Sequence, residues 1–269
     1  MDKVFRITVL ILSAIVLNLS AAWGTTTTIS SLPYTANQTG TAYSETLIVN
    51  GTKVTGTGSG INFTGHDIVF NLMGDTIAFG SNNGDSYYGF YFASSSYNIR
   101  VINGVLLHVA TNDTIPDGCK GIQFQQQSSI GPHDIFFQDL RVVVTGDNAN
   151  CVYDKGGSGV YNISFSRCIF TSNSQGFSNR CNYDGAVVVV DAYSTSGTHD
   201  IKFDSCTITP CPAQGFANMG HGASFLTRTI INACTVTVDQ RNRLDIGGAC
   251  GGTGNAYAIL LRFSGPGSR

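Results

Sequence analysis

Charge is what this sequence has least of. Only 12% of its 269 residues are Asp, Glu, Lys or Arg, against about 25% in an ordinary soluble domain. Such a surface does not suit long solvated helices. The formal net charge is −2, which does not suit a protein that holds nucleic acid by neutralising phosphates. Proline is scarce, at 6 residues, so no Pro-rich linker divides the chain. After residue 22 no apolar run is long enough to span a bilayer, and no segment carries a helical apolar period. No C-x-x-C pair occurs, which removes the tight spacing of a zinc site. What the chain does have is glycine, 32 residues, enough for many tight turns. These features predict a turn-rich β protein.

Residues 1–22 read as a secretory signal peptide. Lys3 and Arg6 precede an apolar run from Ile7 to Leu19, and small residues follow at Ser20, Ala21 and Ala22. The mature protein is therefore expected to be secreted, outside the cell or at its surface, with no membrane span after cleavage.

An internal repeat organises the rest. His66-Asp67-Ile68-Val69-Phe70 returns as Tyr97-Asn98-Ile99-Arg100-Val101, then as His133-Asp134-Ile135-Phe136-Phe137. It returns again as Tyr161-Asn162-Ile163-Ser164-Phe165 and His199-Asp200-Ile201-Lys202-Phe203, and a degenerate copy starts at Thr227. Each copy alternates apolar and polar residues, as a half-buried strand does. A second strand follows each copy closely and a third precedes it, so each period of roughly thirty residues holds three short strands. One such period cannot bury its inward side chains; stacked periods can. The expected fold is all-β: a single right-handed parallel β-helix of about six coils over residues 54–269, with an N-terminal cap and entry strand over 23–53. Three interior columns are expected. One holds Ile68, Ile99, Ile135, Ile163, Ile201 and Thr229. The next holds Phe70, Val101, Phe137, Phe165, Phe203 and Ile231. The third holds Met73, Gly104, Leu140, Cys168, Cys206 and Cys234.

Residues 25–260 resemble the exported right-handed β-helix repeat proteins of the pectin-lyase-like fold. The resemblance is carried by Ser31-Leu32-Pro33-Tyr34-Thr35, Ile61-Asn62-Phe63, Asn71-Leu72-Met73-Gly74-Asp75-Thr76-Ile77, and Ile99 through Leu106. It implies contact with a polysaccharide or cell-surface glycan. Family members include polysaccharide lyases, glycoside hydrolases, epimerases and non-catalytic surface proteins, so the fold does not name the activity.

Cys168, Cys206 and Cys234 share one interior column, which makes them small buried residues, reduced and inert. Cys119, Cys151, Cys181 and Cys250 fall in the long turn before the first strand of a coil, and Cys211 can reach the same edge. The favoured disulfides are Cys119 with Cys151 and Cys181 with Cys211, although spacing alone does not fix the pairing. His66, His133 and His199 share one repeat phase and read as structural, whereas His221 lies out of phase in Gly220-His221-Gly222.

The long turn is also where a site is expected, because stacking brings turns far apart in sequence onto one edge. Asp117, Lys120, Asp154, Arg180 and Tyr183 are the candidate substrate-binding residues there, with Tyr153 and Tyr257 nearby as flat sugar-facing rings. Two reactions are conceivable on paper. A hydrolase needs paired carboxyls. Asn182-Tyr183-Asp184-Gly185, Gly220-His221-Gly222 and Leu261-Arg262-Phe263 are similar to three polygalacturonase motifs, but the adjacent Asp-Asp of that family is missing. A lyase acting on uronates needs a cation such as Ca²⁺ to neutralise the carboxylate, and a base for the α proton. Asp117, Asp154 and Asp184 would hold the ion, with Lys120, Lys155 or Arg180 as base. Asp184, His221 and Lys155 are the catalytic candidates across both schemes. The alternative is a non-catalytic surface, adhesion or matrix protein that presents a rigid repeat scaffold; on either reading the open strand end invites end-to-end self-association.

Overall fold

The computed structural model describes residues 25–39, 45–49, 53–80, 87–109, 119–125, 131–145, 150–155, 159–172, 186–192, 199–211, 214–221, 229–238 and 257–264. Every strand pairing among them is parallel, and no helix occurs among them.

Three faces build each coil. The first is an eight-stranded sheet: β2 (Tyr34–Ala36), β5 (Ile61–Phe63), β8 (Tyr88–Phe92), β10 (Lys120–Phe124), β12 (Asn150–Lys155), β15 (Ala186–Ala192), β18 (Gln214–His221) and β21 (Tyr257–Ser264). The second runs β1 (Thr25–Ile29), β3 (Glu45–Val49), β6 (His66–Asn71), β9 (Tyr97–His108), β11 (His133–Val144), β13 (Tyr161–Ser166), β16 (His199–Asp204) and β19 (Thr229–Asn232). The third holds β4 (Lys53–Thr55), β7 (Thr76–Phe79), β14 (Ile169–Ser172), β17 (Thr207–Cys211) and β20 (Thr235–Val238). The second halves of β9 and β11 also belong to it, pairing with β7 and β14. Successive strands in sequence lie on different faces, and each pairs with its counterpart one coil away. That is a right-handed parallel β-helix, wound with the hand that parallel crossovers take. The stack begins before the visible repeat, because β1 pairs with β3 and β3 with β6 in the same parallel register.

The inward columns follow the repeat. Ile68, Ile99, Ile135, Ile163 and Ile201 are register neighbours and buried. Phe137, Phe165 and Phe203 stack face to face with ring centroids 4.7 Å apart at each step. That distance is the spacing between strands, so one ring per coil stays in contact with the next.

The third column needs one correction. Met73 is 66% exposed, and the buried residue is its neighbour Leu72. The chain turns one position later in this coil: Met73 has φ 56° and its amide is bonded to Asn71 Oδ1. Leu72 then fills the interior beside Gly104, where an added Cβ would lie 2.3 Å from Leu72 Cβ.

The structure also explains the second position of the repeat. Asp67, Asn98, Asp134, Asn162 and Asp200 all have φ between 51° and 59°. Asp and Asn tolerate this left-handed backbone because their short polar side chains bond locally. The acid and the amide alternate from coil to coil. Asn98 Nδ2 donates to Asp67 Oδ1, and Asn162 Nδ2 to Asp134 Oδ1. The preceding residue alternates too: His66, Tyr97, His133 and Tyr161 stack with centroids 4.3, 5.2 and 4.6 Å apart.

Candidate functional site

On the first face, inward residues fill the core, and the residues between them point outward. Phe63, Phe92 and Phe124 form one inward column, with Phe63 and Phe92 stacked at 4.6 Å and Phe92 and Phe124 at 5.4 Å. The next coil places Asp154 in that column. Its neighbour Val152 aligns with Ile122, and Asp154 is 4% exposed. A carboxylate where a phenylalanine would extend the stack is costly unless the surroundings compensate it, so its presence needs a reason.

A polar cluster stands nearer the start of the same two strands, β10 and β12. Lys120 opens β10, is 7% exposed, and donates from Nζ to Asn150 Oδ1 at 2.6 Å. Asn150 is fully buried and is the register partner of Lys120. The same Nζ lies 4.4 Å from the ring centroid of Tyr153, a cation–π contact. Lys120, Asn150 and Tyr153 therefore gather on two adjacent coils at one edge of the first face, while Asp154 lies four residues past Asn150 in the inward column.

The outward side of that face continues the cluster. Tyr91, Gln123 and Tyr153 are consecutive register partners, and Asn62 aligns with Tyr91 one coil earlier. All four are half-buried. Amide and ring alternate along the stack at the strand spacing, about 4.8 Å. Tyr88 flanks Tyr91 at 5.3 Å between ring centroids. Burial, and then the neighbouring Tyr88, push the Tyr91 hydroxyl above the usual tyrosine range. It stays a neutral hydrogen-bonding group.

The residues singled out from sequence fall as follows. Lys120 opens β10, and Asp154 lies on the adjacent β12 four residues past Asn150, the register partner of Lys120. Asp154 and Lys155 lie in β12, and His221 closes β18. None of these is in a turn, contrary to expectation. The inward demand of the stack pulled these polar segments into strands. Asp117, Arg180, Tyr183, Asp184 and Cys181 lie outside the described residues, so the pairing of Cys181 with Cys211 does too. The pairing of Cys119 with Cys151 is corrected: both are buried thiols. Lys120 pairs with Asn150, which sets Cys151 opposite Gly121, two residues along from Cys119. Two residues of offset across one strand spacing put the Cα atoms about 8 Å apart, beyond disulfide reach. Gly121 is required there, because an added Cβ would lie 2.6 Å from the Cys151 carbonyl oxygen.

Among the described residues no group of three or more His, Cys, Asp or Glu is placed to hold a metal. Of the three carboxylates expected to bind Ca²⁺, Asp154 alone is described, and a calcium site needs about six oxygens.

Tyr91, Gln123 and Asn150 escaped the sequence reading. Tyr91 and Gln123 each sit between two apolar residues, Phe90 and Phe92, and Ile122 and Phe124. That sandwich marks an outward position.

No family model and no curated protein matches the chain. Among solved structures it is similar to the enzymatically active domain of tailspike protein 2 from bacteriophage CBA120, at 12% identity and a TM-score of 0.41. The match covers 89% of this chain and 42% of that one, so the chain spans less than half of that domain's length. The parallel register, not that likeness, establishes the β-helix.

Proposed function

We propose that the protein contacts a polysaccharide along the outward column Asn62–Tyr91–Gln123–Tyr153, with Lys120 at its edge. The observation that carries this reading is the register itself, which lines up amide, ring, amide and ring on one rigid face. Aromatic rings cover the apolar faces of sugar rings, amides bond hydroxyls, and a lysine favours an acidic glycan. A rigid column carries little ordering cost on binding. The protein would act outside the cell, where residues 1–22 would direct it, as a member of the pectin-lyase-like group.

A second reading, polysaccharide cleavage, rests on Asp154, a carboxylate buried in the aromatic column of the first face. A carboxylate held away from water is the kind of group that acid–base chemistry uses. The test is a panel of neutral and uronate polysaccharides with the purified chain, with Ca²⁺ and then with chelator. Retention on a polymer supports the contact, and unsaturated or reducing-end product adds catalysis. No retention and no product on any polymer overturns both.

A further inference from the structure

Cys168, Cys206 and Cys234 stand on three consecutive coils at one corner. Each follows a residue in the left-handed region: Arg167 at φ 51°, Ser205 at φ 55° and Ala233 at φ 49°. The repeated backbone repeats the side-chain direction. Each sulfur lies near the carbonyl two residues back, on Ser166 at 3.4 Å, Asp204 at 3.5 Å and Asn232 at 3.2 Å. The Cys206 amide donates to Cys234 Sγ at 3.3 Å. Backbone bonds lock the register: Thr207 N–H to the Cys168 carbonyl and Thr235 N–H to the Cys206 carbonyl, both 2.9 Å. Partners one strand spacing apart, about 4.8 Å, fall inside the Cα range of a disulfide. Exposure is graded, for Cys168 and Cys206 are buried and Cys234 is half-exposed.

We propose that Cys234 and Cys206 form a reversible disulfide by exchange with a small disulfide oxidant, with Cys234 as the entry thiol and Cys206 as the resolving thiol. The Cys234 thiolate attacks one sulfur of the oxidant, forms a mixed disulfide and expels one thiolate. The Cys206 thiolate then attacks Cys234 Sγ, closes the Cys206–Cys234 bond and expels the second. The two cysteines lose two electrons, the oxidant becomes two thiols, and the two cysteine protons end on them. The hydrogen bond from Cys168 holds the Cys206 thiol below its usual range, while the same contact and then burial hold Cys168 far above it. Burial raises the Cys234 thiol as well, so its access to solvent and not its acidity makes it the entry thiol; Cys206 is the readily ionised resolving thiol, and Cys168 stays a thiol.

The test uses the full native chain treated with oxidised glutathione, quenched in acid, blocked with N-ethylmaleimide and digested with trypsin. Cleavage after Lys202, Arg228 and Arg241 leaves Cys234 alone in residues 229–241, and Cys206 with Cys211 in residues 203–228. The expected result is a disulfide linking these two peptides in the wild type and in Cys211→Ser. It should fall at least about tenfold in Cys206→Ser, which should retain the glutathione adduct on Cys234. A wild-type chain whose Cys234 stays a thiol, or stops at the glutathione adduct, overturns the proposal without any variant. So does a linked peptide that survives in Cys206→Ser or vanishes in Cys211→Ser.

Discussion

Asn98 and Asp67 occupy the same position of adjacent coils, both in left-handed backbone, and the amide of one donates to the carboxylate of the other. The next coil returns to an acid at Asp134, and the one after to an amide at Asn162. With one strand spacing between coils, an unbroken row of acids would set like charges about 4.8 Å apart. Alternation turns each repulsion into a hydrogen bond.

Asn98→Asp therefore places a third carboxylate between Asp67 and Asp134. It should destabilise the chain by about 1–2 kcal/mol at neutral pH, from a lost bond and new repulsion. Urea midpoints of variant and wild type should converge below about pH 4, where carboxylates protonate. A variant as stable as wild type at pH 7 would show that the ladder is decorative.

The acid at the other bend behaves differently. Asp139 accepts two bonds from Arg167, from Nε at 2.8 Å and Nη2 at 2.7 Å. The Arg167 bonds, then the bond from Gln138, hold its carboxyl below the usual range. A depressed carboxyl stabilises the fold above the unfolded-state value, and that contribution disappears as pH falls through the folded value. The pair is exposed, so the effect is small. An NMR titration should find the Asp139 midpoint low and returning toward the ordinary value in Arg167→Gln.

His108 responds to pH over a higher range. It is 2% exposed, and its Nδ1 donates to the Thr145 carbonyl at 2.6 Å. Burial pushes its pKa down, against the opposing pull of that bond. The native ring stays neutral at a pH where the unfolded chain already takes a proton. Its contribution is complete above the unfolded value, about 6.5, and declines as pH falls below it. His108→Gln keeps a donor and removes the titration. Between pH 7.5 and 5 the wild-type urea midpoint should drop further than that of the variant. Equal drops would place the acid sensitivity elsewhere.

Much of the scaffold was legible in the sequence, because a stack repeats its demands at a fixed phase. The isoleucine and phenylalanine columns and the trio of cysteines could be read directly from His66, Tyr97, His133, Tyr161 and His199. β12 and β18 were not legible as strands. Asn-Cys-Val-Tyr-Asp-Lys puts Asp154 in the inward column, where a strand pattern calls for an apolar residue. The glycines of Gln214–His221 imitate a turn. Asp154 and Lys120 were visible as chemistry-bearing residues, but the contacts of Lys120 with Asn150 and Tyr153 depend on a register that spacing alone does not supply. Tyr91 and Gln123 were hidden for the opposite reason: their neighbours are so apolar that the strand reads as core.

The most direct test of the account is affinity electrophoresis of the wild type, Tyr91→Ala and Tyr153→Ala on the polymer that retains the protein best. Both rings point outward, so both variants should fold and keep the wild-type unfolding free energy to within about 1 kcal/mol. The account predicts that each loses about tenfold in affinity, as truncated aromatic anchors do. Wild-type retention in both variants would contradict it and take the glycan contact off this face.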